Sequence, residues 1–385
     1  MLPAKQKQTF VTACFIFIFL GIFTAGVGPI LPEFAANTQA SLAMMGGVYT
    51  CIFLGALIAQ VISGPLTDKL GQRVVLAVSL LVIAAGTGGM IFARSVWGLF
   101  IITFLTGLGH GAVDLSTNVM VSRTFTEKNS SMMNLLHFFF GLGAFIGPAF
   151  VSLMLRLFDQ GIITLWLVVA AMLILSLAVT HLQNPPKVEA APGISANVYQ
   201  SLVLWLLSVV ILLYVGLENG LGGWVTTFMN QTTALNLGDA ALVSSGFWGA
   251  LTIGRLLGAV IGSKVSQKAL LTFSLGTAAV MGFVFALTVG ILVPSAASVL
   301  LIGFLTGSVY PTVMSLVTTT FPGSPGKAAS VMAAMGSVGG MLIPLAQGYL
   351  QERVSPVASA WFIAIGLAIT FLALVAARTR MKEKA

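Results

Sequence analysis

Long apolar runs fill most of the chain, broken at short joints that carry charge, Gly or Pro. Counting the runs places spans at about 9–32, 45–66, 74–93, 97–121, 132–155, 162–182, 199–223, 241–262, 269–292, 296–319, 328–349 and 356–377. Each has the roughly 20 residues that carry a helix across about 30 Å of hydrocarbon. The apolar positions run on without alternating with polar ones, which excludes a transmembrane β-barrel. The longest polar segment, 183–198, is rich in Pro and Ala and falls near mid-chain. The expected organisation is therefore a six-helix bundle at 1–182, a linker at 183–198 and a second six-helix bundle at 199–385. The first run follows Lys5 and Lys7 in the manner of a signal peptide, but eleven further spans make it a retained helix.

Composition removes the soluble classes. Of 385 residues, 7% are charged and 57% hydrophobic, against about a quarter charged in a soluble domain. So few charges do not cover a water-facing surface. A soluble enzyme and a nucleic-acid binder are both excluded, despite a net charge of +8. Cys14 and Cys51 lie within apolar runs and form neither a disulfide framework nor a metal site. No cofactor is expected.

Position gives the positive charge its meaning. With the N-terminus in the cytoplasm, 14 of the 18 Lys and Arg residues fall in cytoplasmic joints or tails, as the positive-inside rule requires. Arg94, Arg156 and Arg353 fall outside, and Arg255 lies within a span. The expected location is a bacterial cytoplasmic membrane, with both termini inside and the chain a monomer in the bilayer.

The halves repeat in parallel. Phe53-Leu-Gly-Ala-Leu57 recurs as Phe247-Trp-Gly-Ala-Leu251, and Phe104-Leu-Thr-Gly107 as Phe304-Leu-Thr-Gly307. Gly143 and Pro148 map onto Gly339 and Pro344. Paired six-helix repeats with a site between them are a common plan for secondary transporters.

Few polar groups remain inside the spans. In the fourth, His110, Asp114 and Asn118 recur at every fourth position and share one helix face. Asp114 precedes Arg123 by nine residues, about 13 Å along a helix. A carboxylate at that depth needs water, a partner or a proton, so Asp114 is a proton-coupling candidate. His137 in the fifth span has matching depth; it reads equally as a relay or as a satisfied core histidine. The seventh span reads Tyr214-Val-Gly-Leu-Glu218-Asn219-Gly-Leu-Gly-Gly-Trp224. Its four glycines argue against a continuous helix, and broken helices line cavities. Glu218, Asn219 and Trp224 are accordingly cavity candidates, with Glu218, in the outer half, a proton-coupling candidate beside Asp114 and His137. Arg255 is expected to be structural, capping carbonyls or pairing with an acid across the bundle. Gln60, Tyr310 and Gln347, with His110, Asn118, Asn219 and Trp224, make up the substrate-binding candidates.

The joint after the second span reads Gly64-Pro-Leu-Thr-Asp68-Lys69-Leu-Gly71-Gln-Arg73. It resembles the Gly-x-Leu-Ala-Asp-Arg-x-Gly-Arg-Arg loop of the major facilitator superfamily. That resemblance implies a gate loop of Gly64, Asp68, Lys69, Gly71 and Arg73, and an all-α fold of 12 transmembrane helices in two parallel six-helix repeats. Gly107 to Asn118, Tyr214 to Trp224 and Tyr310-Pro311-Thr312 resemble the superfamily's fucose–galactose–glucose:proton symporters in particular. The likeness implies an essential carboxylate at Asp114 and an amide at Asn118. Members that carry fucose have a second membrane acid on the first helix. Here that helix holds none before Glu33, at its outer end.

Together these features lead to an expected proton-coupled carrier for a hexose or similar neutral polyol. Proton-driven efflux of lipophilic compounds is the alternative, suggested by Gly141-Leu-Gly-Ala-Phe-Ile-Gly147-Pro148 and by 16 Met and 26 Phe residues. Protons, a small molecule and the bilayer are the expected partners.

Overall fold

The structure, a computed structural model, describes residues 3–125, 129–184, 198–262, 264–321 and 325–382. Among them the regular elements are helical, and they supply 12 spans long and apolar enough to cross a membrane. The first six are α1 (Ala4–Thr38), α2 (Gly46–Leu70), α3 (Gln72–Phe92), α4 (Val96–Thr124), α5 (Asn129–Phe158) and α6 (Thr164–Thr180). Then come α7 (Leu202–Thr232), α8 (Leu237–Gly262) and α9 (Gln267–Leu287). The tenth span is two pieces, α10 (Leu292–Thr306) and α11 (Val309–Thr320), followed by α12 (Pro325–Arg353) and α13 (Pro356–Lys382).

Three expectations change. The seventh span is one unbroken helix, because its glycines serve packing: Gly216 and Gly220 let α12 approach, and Gly223 lets α1 and α2 approach. The break falls in the tenth span instead, at Gly307 and Ser308. The joint read as a loop over 64–73 is almost wholly helix, since α2 continues to Leu70. Only Gly71 departs from helical geometry there, at φ 84°, a left-handed conformation that glycine adopts without a Cβ penalty. The linker is described only at 183–184 and 198; its remaining residues lie outside the described ones.

Within the first six spans, α1 packs on α5, α2 on α4, and α3 on both α4 and α6. Within the last six, α7 packs on α12 and α13, α8 on α10, and α9 on α13. Glycine contacts show the repeat. A Cβ on Gly143 would stand 1.9 Å from the Ile18 carbonyl oxygen, and one on Gly339 would stand 1.9 Å from that of Leu212. Gly107 against Ile52 and Gly307 against Leu251 repeat the pattern at 2.2 and 2.1 Å. One register needs correction. Gly55 meets Phe104 as Gly254 meets Phe304, so the second and eighth spans correspond at an offset of 199, not the 194 given by Phe53–Leu57 and Phe247–Leu251. Small and aromatic residues recur by chance in apolar helices; the glycine at the close approach sets the true register.

The two sets of six meet along α5 with α8, α2 with α12, and α1 with α7. These contacts run from the end opposite the chain termini to mid-membrane. At the far end Arg156 pairs with Asp239, and the Ala43 amide donates to the Glu352 carboxylate. Deeper in, Thr50 Oγ1 donates to the Met341 carbonyl at 2.8 Å and Ser245 Oγ to that of Phe145 at 2.6 Å.

Candidate functional site

The mid-membrane polar groups come from both sets. On α4, the Asn118 amide nitrogen donates to the Asp114 carbonyl at 2.9 Å and to its carboxylate at 3.1 Å. One face thus holds the acid and the amide that orients it. Two turns from Asn118 on that face, His110 Nε2 lies 3.2 Å from Thr24 Oγ1 of α1 and beside the Phe23 ring. Thr24, a residue that the sequence pattern did not single out, thus joins α1 to this face of α4. Glu33 is occupied elsewhere: its carboxylate accepts from the amides of Gly161 and Ile162, capping the turn before α6.

In the second set, Arg255 of α8 reaches Glu218 of α7 at 3.5 Å and donates from Nε to the Gly307 carbonyl at 3.1 Å. The second contact follows from the sequence. In a helix the Gly307 carbonyl would accept from residue 311, which is Pro and has no N–H. Arg255 satisfies the carbonyl that the break exposes. Glu218 lies at the midpoint of α7 rather than in the outer half, because the helix extends to Thr232. Tyr214, one turn earlier, lies beside the Glu218–Arg255 pair, with its hydroxyl in no well-formed hydrogen bond.

Tyr310, in the first turn of α11, lies within electrostatic reach of Asp114, Glu218 and Arg255. His137 lies within reach of Arg255 and edge-on to Phe17. The two acids, placed at different depths by counting residues, thus both lie within electrostatic reach of Tyr310. Asp114, Asn118, His110, His137, Glu218, Arg255 and Tyr310 are all half-buried, as groups facing a shared space should be. Gln60 is half-buried on α2, and among the described residues no hydrogen bond ties it to this group.

Three expected cavity residues are buried instead. Trp224 is fully enclosed, belongs to the apolar core of the first set, and donates from its indole to the Pro344 carbonyl at 2.9 Å. Gly348 leaves the room that its ring fills. It is a packing residue, and a ring with both faces covered cannot stack on a sugar. Trp224→Phe should lower stability by about 2 kcal/mol, from one lost hydrogen bond and the space left beside Gly348, and leave substrate affinity at the wild-type value. Thermal unfolding and a binding isotherm on the purified protein check the two parts. Asn219 is 8% exposed and bonds the Val215 carbonyl of its own helix. Gln347, 2% exposed, presses its amide oxygen against Gly220.

At the end nearer the termini, the Arg73 amide donates to Asn184 at 2.9 Å and its guanidinium to the Leu182 carbonyl at 3.3 Å. Arg73 and Gly71 thereby hold the α2–α3 joint against the end of α6, and Lys69 is exposed. Of Gly64 and Asp68 only the helical backbone is described. Among the described residues no cluster of His, Cys, Asp or Glu suits a metal ion.

Twelve membrane helices in two parallel repeats, with few charges gathered between them, define a polytopic membrane carrier. The sequence matches the Major Facilitator Superfamily over residues 13–344 and again over 207–385. The chain belongs to that superfamily, and it is a transporter rather than an enzyme. It is 24% identical to the human sodium-dependent glucose transporter 1, over 92% of this chain and 76% of that one. It is 25% identical to a glucose/galactose transporter of Brucella abortus, over 88% and 86% of the two chains. These relatives bear the sugar names that the sequence resemblance led us to expect. Among solved structures, a variant of the nucleoside transporter NupG matches with a TM-score of 0.79 at 15% identity, covering 97% of this chain and 99% of that one. A variant of the E. coli fucose:proton symporter FucP matches at 0.69 and 17% identity, with the same coverage. At such identities the structural likeness speaks to the fold alone.

Proposed function

We propose that the chain is a proton-coupled carrier that takes up a hexose or similar neutral polyol by alternating access. The bundles at 1–182 and 199–385 would rock about their shared seam, tethered by the linker at 183–198, in a bacterial cytoplasmic membrane with both termini inside. The observation that carries this reading is the unequal neutralisation of the two mid-membrane acids. Glu218 has Arg255 beside it, whereas Asp114 has an amide and no cation among the described residues. A lone carboxylate at that depth is stable when it carries a proton or faces water, so binding and release of one proton can be linked to which end is open.

The cargo is argued from chemistry and from the relatives. Asn118, His110 and Tyr310 offer hydrogen bonds to hydroxyl groups, and Asp114 accepts one when ionised. A glucose and a glucose/galactose transporter are among the similar proteins. Lipophilic efflux has no comparable support: the polar groups converge, and Trp224 is withdrawn into the core. Arg73 and Gly71 steady the joint beneath the first bundle in the manner of a gate loop. The word sodium in the human relative's name gives a second coupling reading, in which a cation meets the Asp114 carboxylate and the Asn118 amide oxygen, which has no hydrogen-bond partner among the described residues.

One experiment separates these readings. Right-side-out vesicles are given labelled glucose or galactose under an inward proton gradient, an inward sodium gradient, or neither. Accumulation driven by protons supports the proposal, and accumulation driven only by sodium reassigns the coupling ion. Equilibration without accumulation removes coupling.

A further inference from the structure

The seam between the bundles buries polar atoms that the closed state leaves unbonded. Tyr49 of α2 is 3% exposed, and its hydroxyl has no hydrogen-bond partner among the described residues. That oxygen presses on Gly223 of α7, where a Cβ would stand 2.3 Å from it. Gly28 of α1 closes on the same Gly223, with its own would-be Cβ 2.4 Å from the Gly223 carbonyl oxygen. One turn along the same face of α7, Gln347 of α12 presses its unbonded amide oxygen on Gly220, at 2.5 Å from that residue's would-be Cβ. A donor–acceptor hydroxyl and an amide acceptor therefore lie about one helical turn apart on a glycine-floored strip. Tyr49 belongs to the first bundle, while Gly223, Gly220 and Gln347 belong to the second.

An apolar residue at either position would suit a permanently shut seam better, because an unbonded buried polar atom destabilises the state that buries it. The same atoms are useful once the far end opens. Separation of α1 and α2 from α7 would withdraw Gly28 and Tyr49 from Gly223, leaving Gln347, which stays on Gly220 one turn along within the second bundle, beside the new passage. We infer that Tyr49 and Gln347 form a hydroxyl-binding subsite that exists only while the far end is open, engaging a sugar hydroxyl before the cargo reaches Asp114 and Asn118. Closing the seam strips the subsite from the cargo and passes it inward. This inference rests on the sugar reading proposed above. It adds to that reading a site that lies in the seam and is absent from the mid-membrane cluster.

The test compares the two faces of the carrier. Tyr49→Phe keeps the ring that packs on Gly223 and removes only the hydroxyl. In right-side-out vesicles the half-saturating glucose concentration should rise about tenfold, the cost of one lost hydrogen bond. In inside-out vesicles it should stay within about twofold of wild type, since one face alone loses the contact. Gln347→Leu should show the same one-sided loss and serves as the second variant if Tyr49→Phe does not fold. A panel of monodeoxy glucose analogues locates the bond: one analogue should bind weakly to wild type from the far side, with no further loss in Tyr49→Phe. Equal loss at both faces would place Tyr49 in the central site and overturn the inference. No change at either face overturns it too, as does a far-side loss no larger than a terminal-side gain, which reports only the shut state relieved of its unbonded hydroxyl. Wild-type vesicles that take up no hexose remove the sugar reading itself. Wild-type uptake with an unaffected Tyr49→Phe removes only the subsite.

Discussion

Asp114→Asn is expected to abolish gradient-driven accumulation, bringing it down to the level of downhill equilibration, while exchange of sugar across the membrane continues. The substitution preserves the shape of the group and the bond from Asn118, since the new amide oxygen still accepts from that nitrogen. What disappears is the ability to change charge. An ionised carboxylate in mid-membrane is disfavoured by several kcal/mol unless hydrated or partnered, so wild-type Asp114 favours whichever state hydrates it until a proton neutralises it. A permanently neutral amide removes that preference and leaves both states accessible with or without a proton. Counterflow of labelled sugar and accumulation under an imposed gradient measure the two activities on the same vesicles. Accumulation that survives the substitution would move the coupling role away from Asp114.

A second pronounced effect concerns stability. Arg255→Met leaves Glu218 as an uncompensated charge and the Gly307 carbonyl without a donor. Loss of one member of a buried pair costs about 3–5 kcal/mol, which corresponds to a fall in melting temperature on the order of 5–10 °C. Glu218→Leu in the same chain should recover most of the loss, because the penalty comes from the stranded charge and not from the missing bond. Thermal unfolding of the single and double variants in one detergent tests this. Wild-type-like melting of Arg255→Met would show that the pair bears little load. Full recovery in the double variant would still leave the exposed Gly307 carbonyl to be accounted for, so a small residual deficit is expected.

The positions of these residues show which parts of the protein are read from order along the chain. Asp114 and Asn118 could be paired from their spacing, since a four-residue step stacks side chains on one helix face. Arg255 could be marked as unusual because so few charges occur within apolar spans. Its contact with the Gly307 carbonyl was implicit in Pro311, four residues beyond, but that inference needed to know which helix stands opposite. Trp224 illustrates the converse. An aromatic residue beside four glycines suggests a cavity wall, and the same glycines instead admit α12, whose Pro344 carbonyl and Gly348 cleft take up the indole.

That the chain crosses a membrane 12 times in two parallel repeats was already written in its residue order, because each span is a local property of about 20 residues and their hydration. The charges within the spans were equally visible there, since scarcity makes each one stand out. Packing in three dimensions was needed to show that α7 is continuous while the tenth span breaks. It was needed as well to place Asp114 and Glu218 within reach of Tyr310, and to press Tyr49 and Gln347 on the glycines of α7. Those outcomes depend on which surfaces glycines allow to approach across the bundle, and a close approach is a property of two helices that no single stretch of sequence contains.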